Sequence, residues 1–160
     1  MRSVPKLTLF TSLVAALLLS AAHPVLAGPD ASEDTVAGHL STFAAGVERG
    51  LDISGPVRLQ RGEDWTQVKV NAHGLAPDTS YNAHLHHAAC DDANGGGHYM
   101  DDPAGGTTPP NELWLAIGTN PAGSGKDSSS APWAVRDGSR SVVIHDTDGA
   151  RIACADLPVG

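Results

Sequence analysis

The sequence predicts an all-β fold, an antiparallel sandwich or barrel, on three observations. Glycine and proline, 18 and 11 of 160 residues, interrupt the chain too often for long helices. Several short runs alternate apolar and polar residues with a period of two. Turn-forming stretches such as GLAPDTS (74–80) and TNPAGSG (119–125) separate those runs at close intervals.

The first segment stands apart from this pattern. Arg2 and Lys6 precede an apolar run from Leu7 to Ala22, and Val25–Leu26–Ala27 sets small residues at the two positions a signal peptidase reads. Residues 1–27 therefore read as a secretory signal peptide, too short and too weakly flanked for a membrane span. Residues 28–160 form one domain of 133 residues, in which no further apolar run is long enough to cross a bilayer.

Within that domain, Ser41–Asp52 is a helical candidate weakened by Gly46 and Gly50, and fits a strand and turn equally well. From Trp65 to Leu75, Val68, Val70 and Ala72 share one face, and Gln67, Lys69 and Asn71 the other. In SYNAHLH (80–86), Tyr81, Ala83 and Leu85 oppose Asn82, His84 and His86. LWLAI (113–117), RSVVIH (140–145) and RIACADL (151–157) read as further strands. The polar stretches 101–110 and 123–132 read as surface loops. Trp65, Trp114 and Trp133 are expected at the core or its rim, and His39 and His73 at the surface or in turns.

Charge excludes some functions. The chain has 10 basic and 18 acidic residues, and loss of Arg2 and Lys6 with the signal leaves 8 against 18, a net −10. So acidic an exported domain is a poor partner for nucleic acid or an anionic membrane. The two cysteines, Cys90 and Cys154, are in an oxidising compartment most simply one disulfide. Closing a loop of about 64 residues would contribute roughly 4 kcal/mol. Nothing in the sequence sets the oligomeric state.

The chemistry concentrates in histidines. His84 and His86, two residues apart on a strand, leave the same face with Cα atoms about 6.5–7 Å apart, close enough for two imidazoles to converge on one ion. His87 points to the other face. His98 follows three glycines, which allow a sharp turn and a close backbone approach. His145 ends a β-branched strand, on the face opposite Val142 and Ile144. A Cys90–Cys154 bond would tie the His84/His86 region to the last strand, near His145. Four neutral imidazoles suit copper(II) or zinc, and tetragonal nitrogen ligation favours copper. Calcium and magnesium, which take oxygen ligands, fit poorly.

Between about Gly55 and Leu157 the chain resembles the copper/zinc superoxide dismutase family. VKVNAHGL (68–75) is similar to the family's third strand, and HLH (84–86) stands at its paired copper histidines. GGGHY (95–99) stands at the bridging histidine, SVVIH (141–145) at the last copper histidine, and RIAC (151–154) at the terminal arginine and cysteine. The resemblance implies a Greek-key antiparallel β-sandwich or flattened barrel, immunoglobulin-like, with copper held by His84, His86, His98 and His145. It also implies a Cys90–Cys154 disulfide and a substrate-attracting Arg151, with His98 and Arg151 as the residues taking part in catalysis. The implied activity is dismutation of superoxide to dioxygen and hydrogen peroxide.

Two departures point to the family's copper-only branch. No histidine lies between His98 and His145, so the case for zinc is weak; Asp101, Asp102 and Glu112 are the acidic groups in range of a second ion and read as solvated loop carboxylates. Only DTDGA (146–150) separates His145 from Arg151, where the family usually has a long loop. A copper-storing module would explain the histidines equally well without needing Arg151, and an adhesion domain with surface histidines is a third reading.

Overall fold

The computed structural model describes residues 34–160, so the expected signal peptide lies outside the described residues. Eight antiparallel strands carry the fold: β1 (Asp34–Thr42), β2 (Gly55–Arg61), β3 (Thr66–Ala72), β4 (Ser80–His86), β5 (Trp114–Gly118), β6 (Gly125–Ala131), β7 (Gly138–His145) and β8 (Arg151–Val159). Helical structure among the described residues is limited to α1 (Ala44–Glu48) and a 3-10 turn at Ala93–Gly95.

The strand order is β5-β4-β7-β8-β1-β2-β3-β6. The pairings β4–β7, β1–β8 and β3–β6 join strands that are distant in sequence, as a Greek key requires. A Thr119–Gly125 bridge draws β5 and β6 together, so the sheet nearly closes into a flattened barrel.

Period-two alternation fills the interior. Val57 and Leu59 of β2 and Val68, Val70 and Ala72 of β3 are buried from one half, and Tyr81, Ala83, Leu85, Val142 and Ile144 from the other. The faces assigned to β3, β4 and β7 from sequence are those observed. Of the tryptophans, Trp133 is buried and Trp114 lies at the rim with 40% exposure.

Three strands are not announced by the sequence pattern. β1 and β2 fall where Gly, Pro and the helical candidate obscure the alternation. Stretch 123–132, expected to be a surface loop, instead contains β6 (GKDSSSA). Its backbone pairs with β3 from Thr66–Ala131 to Ala72–Gly125, and only Gly125 and Ala131 are buried. Ladder hydrogen bonds, which do not depend on side-chain polarity, make this strand; hydrophobic patterning is blind to it. Stretch 41–52 divides between its two readings: Ser41 and Thr42 end β1, and five residues form α1.

Candidate metal centre

From Ala83 to His86, β4 is buried on both faces, and that sets up the site. Its inner face fills the core, while His84 and His86 on the outer face are 8% and 0% exposed. The β4–β7 register pairs Asn82 with His145, His84 with Val143 and His86 with Ser141, which puts His145 on the same outer face as His84 and His86. His98 arrives from the segment after β4, through an isolated bridge to His86.

That segment folds back over the histidines. His87 N–H donates to Gly97 O, Ala88 N–H to Gly95 O and Tyr99 N–H to Leu85 O. A Cβ on Gly95, whose φ is +91°, would lie 2.8 Å from Val143 Cγ2 and 2.9 Å from Ser141 Oγ, so a residue without a side chain is required there. Ser141, fully buried, holds the segment through a 2.9 Å hydrogen bond to Ala88 O. The Cys90–Cys154 disulfide, with Cα atoms 5.8 Å apart, joins the same segment to β8. His87 stays outside the cluster: its Nε2 accepts the Gly97 N–H at 3.0 Å.

One donor atom from each of His84, His86, His98 and His145 lies within 4.8 Å of the others. The remaining ring nitrogens fix the tautomers. His86 Nδ1 lies 3.1 Å from Gly96 O and His145 Nδ1 3.2 Å from Gly149 O. Carbonyl oxygens only accept, so both Nδ1 atoms are donors and both Nε2 atoms carry lone pairs. Those two Nε2 atoms face each other at 3.2 Å. Two neutral rings with these tautomers cannot hydrogen-bond to one another, and a cation between them resolves the conflict. His84 Nδ1 is buried and has no hydrogen-bond partner. The donor set thus fits a metal ion, and its all-imidazole chemistry suits copper(II) or zinc.

Electrostatics keep the cluster in its ligating form. Burial, reinforced by His98 and His145, lowers the His84 pKa to about 4. Burial and His98 lower that of His86 to about 3, with Arg151 adding a smaller effect. His145 is also lowered, by burial first.

The sequence reading of Glu112 as a solvated loop carboxylate is corrected. Glu112 is 3% exposed. Its Oε2 lies 2.9 Å from His98 Nδ1 and accepts the Trp114 Nε1–H at 2.6 Å. The Trp114 ring in turn packs on His84, centroids 5.2 Å apart. Nor does the acidic trio assemble: Asp101 pairs with Arg136, Asp102 Oδ1 accepts the Ala104 N–H, and the four histidines are the one metal-capable group of three or more such residues among the described residues. No sequence signal marks Glu112: it is buried next to buried Leu113, ahead of exposed Trp114 and buried Leu115, so it breaks the period-two pattern of the strand that follows.

Arg151 sits opposite His145 on β8, beside a register shift between Ile144 and His145. Its Nη1 donates to Ala93 O at 2.7 Å and Asn94 O at 3.1 Å, which fixes the guanidinium at the edge of the cluster. Residues 146–150 make a tight turn, with Gly149 N–H on Asp146 O, and Arg49 bridges Asp146 and Asp148 at 2.8 and 2.9 Å. His98, 30% exposed at its side chain, opens onto a cavity of about 600 Å³ that Glu112 and Trp114 also line.

Solved structures share this fold. A double mutant of an SOD-like protein from Bacillus subtilis matches at a TM-score of 0.55 and 20% identity, over 76% of this chain and 96% of that one. A single mutant of that protein gives 0.55 and 18%, over 76% and 97%. A Cu/Zn superoxide dismutase from Brucella abortus gives 0.53 and 19%, over 76% and 98%. At these identities the likeness is one of fold. No protein-family model and no curated protein matches the chain.

Proposed function

We propose that this chain is an exported, copper-dependent superoxide dismutase of the copper-only type, with His84, His86, His98 and His145 as the ligands. The observation that carries the reading is the 3.2 Å approach of His86 Nε2 to His145 Nε2 while both Nδ1 atoms are bonded to carbonyls. The buried, unpartnered His84 Nδ1 supports it. The ligand atoms would be His84 Nδ1 and the Nε2 atoms of the other three.

Bound copper would supply one-electron chemistry, in which one superoxide loses an electron to become dioxygen and a second gains it, with two protons, to become hydrogen peroxide. The protein supplies the rest. Arg151, anchored through one nitrogen, offers positive charge at the cluster's edge, which draws an anion towards a domain that is otherwise acidic. Glu112 occupies the Nδ1 side of His98 and orients the ring so that Nε2 faces the cluster. Whenever it is not ligating the ion, the partly exposed His98 would hold and deliver a proton at that same Nε2. The Glu112 contacts speak against a zinc site beside His98, because the nitrogen that would ligate zinc already has a partner. The disulfide, and the absence of any long apolar helix among the described residues, fit an extracytoplasmic domain released from residues 1–27.

The alternative is a copper-storing module on the same scaffold, which uses the histidines alone. Purified, oxidised protein should bind one Cu(II) per chain, lose it in a His84→Ala/His86→Ala variant and dismutate superoxide in a cyanide-sensitive way. Stoichiometric copper without activity would sink the enzyme and leave the module. No copper binding would sink both.

A further inference from the structure

The eight cations among the described residues divide into two sets. Arg49 and Arg61 are paired with aspartates, Arg136 and Arg151 are bonded to carbonyls, and Arg140 reaches Asp137 O. The other three, Arg58, Lys69 and Lys126, are exposed and lie together. Arg58 and Lys126 make no hydrogen bond or ion pair among the described residues, and Lys69 reaches only Gln60 Oε1, at 3.5 Å.

The sheet register explains the clustering. Arg58 of β2 stands directly opposite Lys69 of β3, and Lys69 opposite Ser128 of β6; the neighbouring row pairs Asn71 with Lys126. Directly opposed residues lie roughly 5 Å apart and diagonal ones about 7–8 Å, so three like charges share a small patch. Like charges directly opposite each other destabilise a sheet, and the chain has acidic residues to spare for pairing them. These residues line a groove of about 470 Å³ that also takes in Pro56. The carboxylate at the rim, Asp127, is engaged with the Ala116 N–H at 2.7 Å.

We infer that this groove binds an acidic polysaccharide, a polymer carrying carboxylates or sulfates spaced along hydroxylated rings. Three spaced cations meet the anionic groups, while Asn71 and Ser128 beside them offer donors and acceptors for hydroxyls. A membrane surface fits less well, because an interfacial site needs apolar side chains. The exposed large apolar residues are Val47 and Trp114, neither of which lines the groove. Nucleic acid carries far denser charge, which a domain this acidic repels. The groove belongs to β2, β3 and β6, strands that carry none of the four histidines, so polymer bound here leaves the metal centre uncovered.

The test is titration of the full oxidised protein with oligogalacturonates at low and moderate salt, with dextran, phosphatidylglycerol vesicles and DNA in parallel. The expected result is salt-sensitive binding of the galacturonate and none of dextran. An Arg58→Gln/Lys69→Gln/Lys126→Gln variant, no lower in melting temperature and unchanged in copper binding, should bind about tenfold more weakly or worse, since three exposed ion pairs are lost together. The single variant Lys126→Gln, which leaves the opposed pair intact, should show a smaller loss and serves if the triple variant folds poorly. No galacturonate binding at low salt, equal binding by the charge-neutralised variants, or tighter binding of vesicles or DNA would each overturn the proposal.

Discussion

Glu112 Oε2 lies 2.9 Å from His98 Nδ1, so a buried carboxylate holds the ring whose other nitrogen faces the histidine cluster. Removing that partner leaves His98 free to turn and leaves the Trp114 indole N–H unsatisfied. Glu112→Ala should weaken Cu(II) binding by about 10–100-fold, as loss of a partner to a ligating histidine typically does. Competition titration reads the affinity, and a shift in tryptophan fluorescence reports the indole. Glu112→Gln, which keeps one acceptor, should fall between the two. Unchanged affinity in Glu112→Ala would remove the carboxylate from the account of the site.

Arg151 separates the dismutase from the copper store. Arg151→Ala should lower the second-order rate with superoxide roughly tenfold or more and reduce its salt dependence, because an attracting charge is lost. Copper affinity should stay the same, since the arginine contacts Ala93 and Asn94 carbonyls rather than a histidine. A rate that does not change would mean that Arg151 only braces the 3-10 turn.

The depressed histidines set a pH dependence for the metal-free protein. His84 and His86 have folded-state pKa values of about 4 and about 3, below the ordinary value of 6.5. Below about pH 6.5 the unfolded chain takes up protons that the folded chain refuses, so stability falls as pH falls from 7 towards 4. The loss between pH 7 and pH 5 should be on the order of 2 kcal/mol, allowing for solvent screening. Urea melts of metal-free protein at the two pH values measure it. An equal loss in the His84→Ala/His86→Ala variant would place the cause elsewhere.

Gly95 sits where the covering segment touches β7. Gly95→Ala should cost about 1–3 kcal/mol, from a non-glycine residue at positive φ and from crowding against Val143 and Ser141. The displaced segment also carries the Gly96 carbonyl away from His86 Nδ1, so copper affinity should fall in parallel. Thermal melts and copper titration together read the two effects.

Cys90→Ser/Cys154→Ser should lower stability by roughly 4 kcal/mol, the chain-entropy value for a loop of 64 residues. Dithiothreitol should reproduce the loss in the unaltered chain. A melting temperature that does not move under reduction would show that the bond adds nothing to the native state's margin.

The histidine set was legible because spacing and strand period place donors on faces. His84 and His86 follow from the alternation in β4, and His145 from that in β7. The glycines before His98 likewise announce a close approach, which Gly95 makes against Val143. Glu112 was not legible, since its burial and its bond to His98 depend on how residues 99–113 return to the barrel. β6 was hidden for a different reason: its serines satisfy a backbone ladder and little else. The Arg58–Lys69 opposition required the register of two strands, which no single stretch of sequence contains.

The facing Nε2 atoms of His86 and His145 have a further consequence for how the chain is built. Almost everywhere else, local pattern, packing and hydrogen bonding agree. Here they are set at odds, with two lone pairs pressed together in a dry place by neighbours that are themselves well satisfied. Such a spot is a point of local frustration in an otherwise smooth landscape. A cation that settles there acts as the missing core residue, one supplied from solution, and the native state deepens with its concentration in the surroundings.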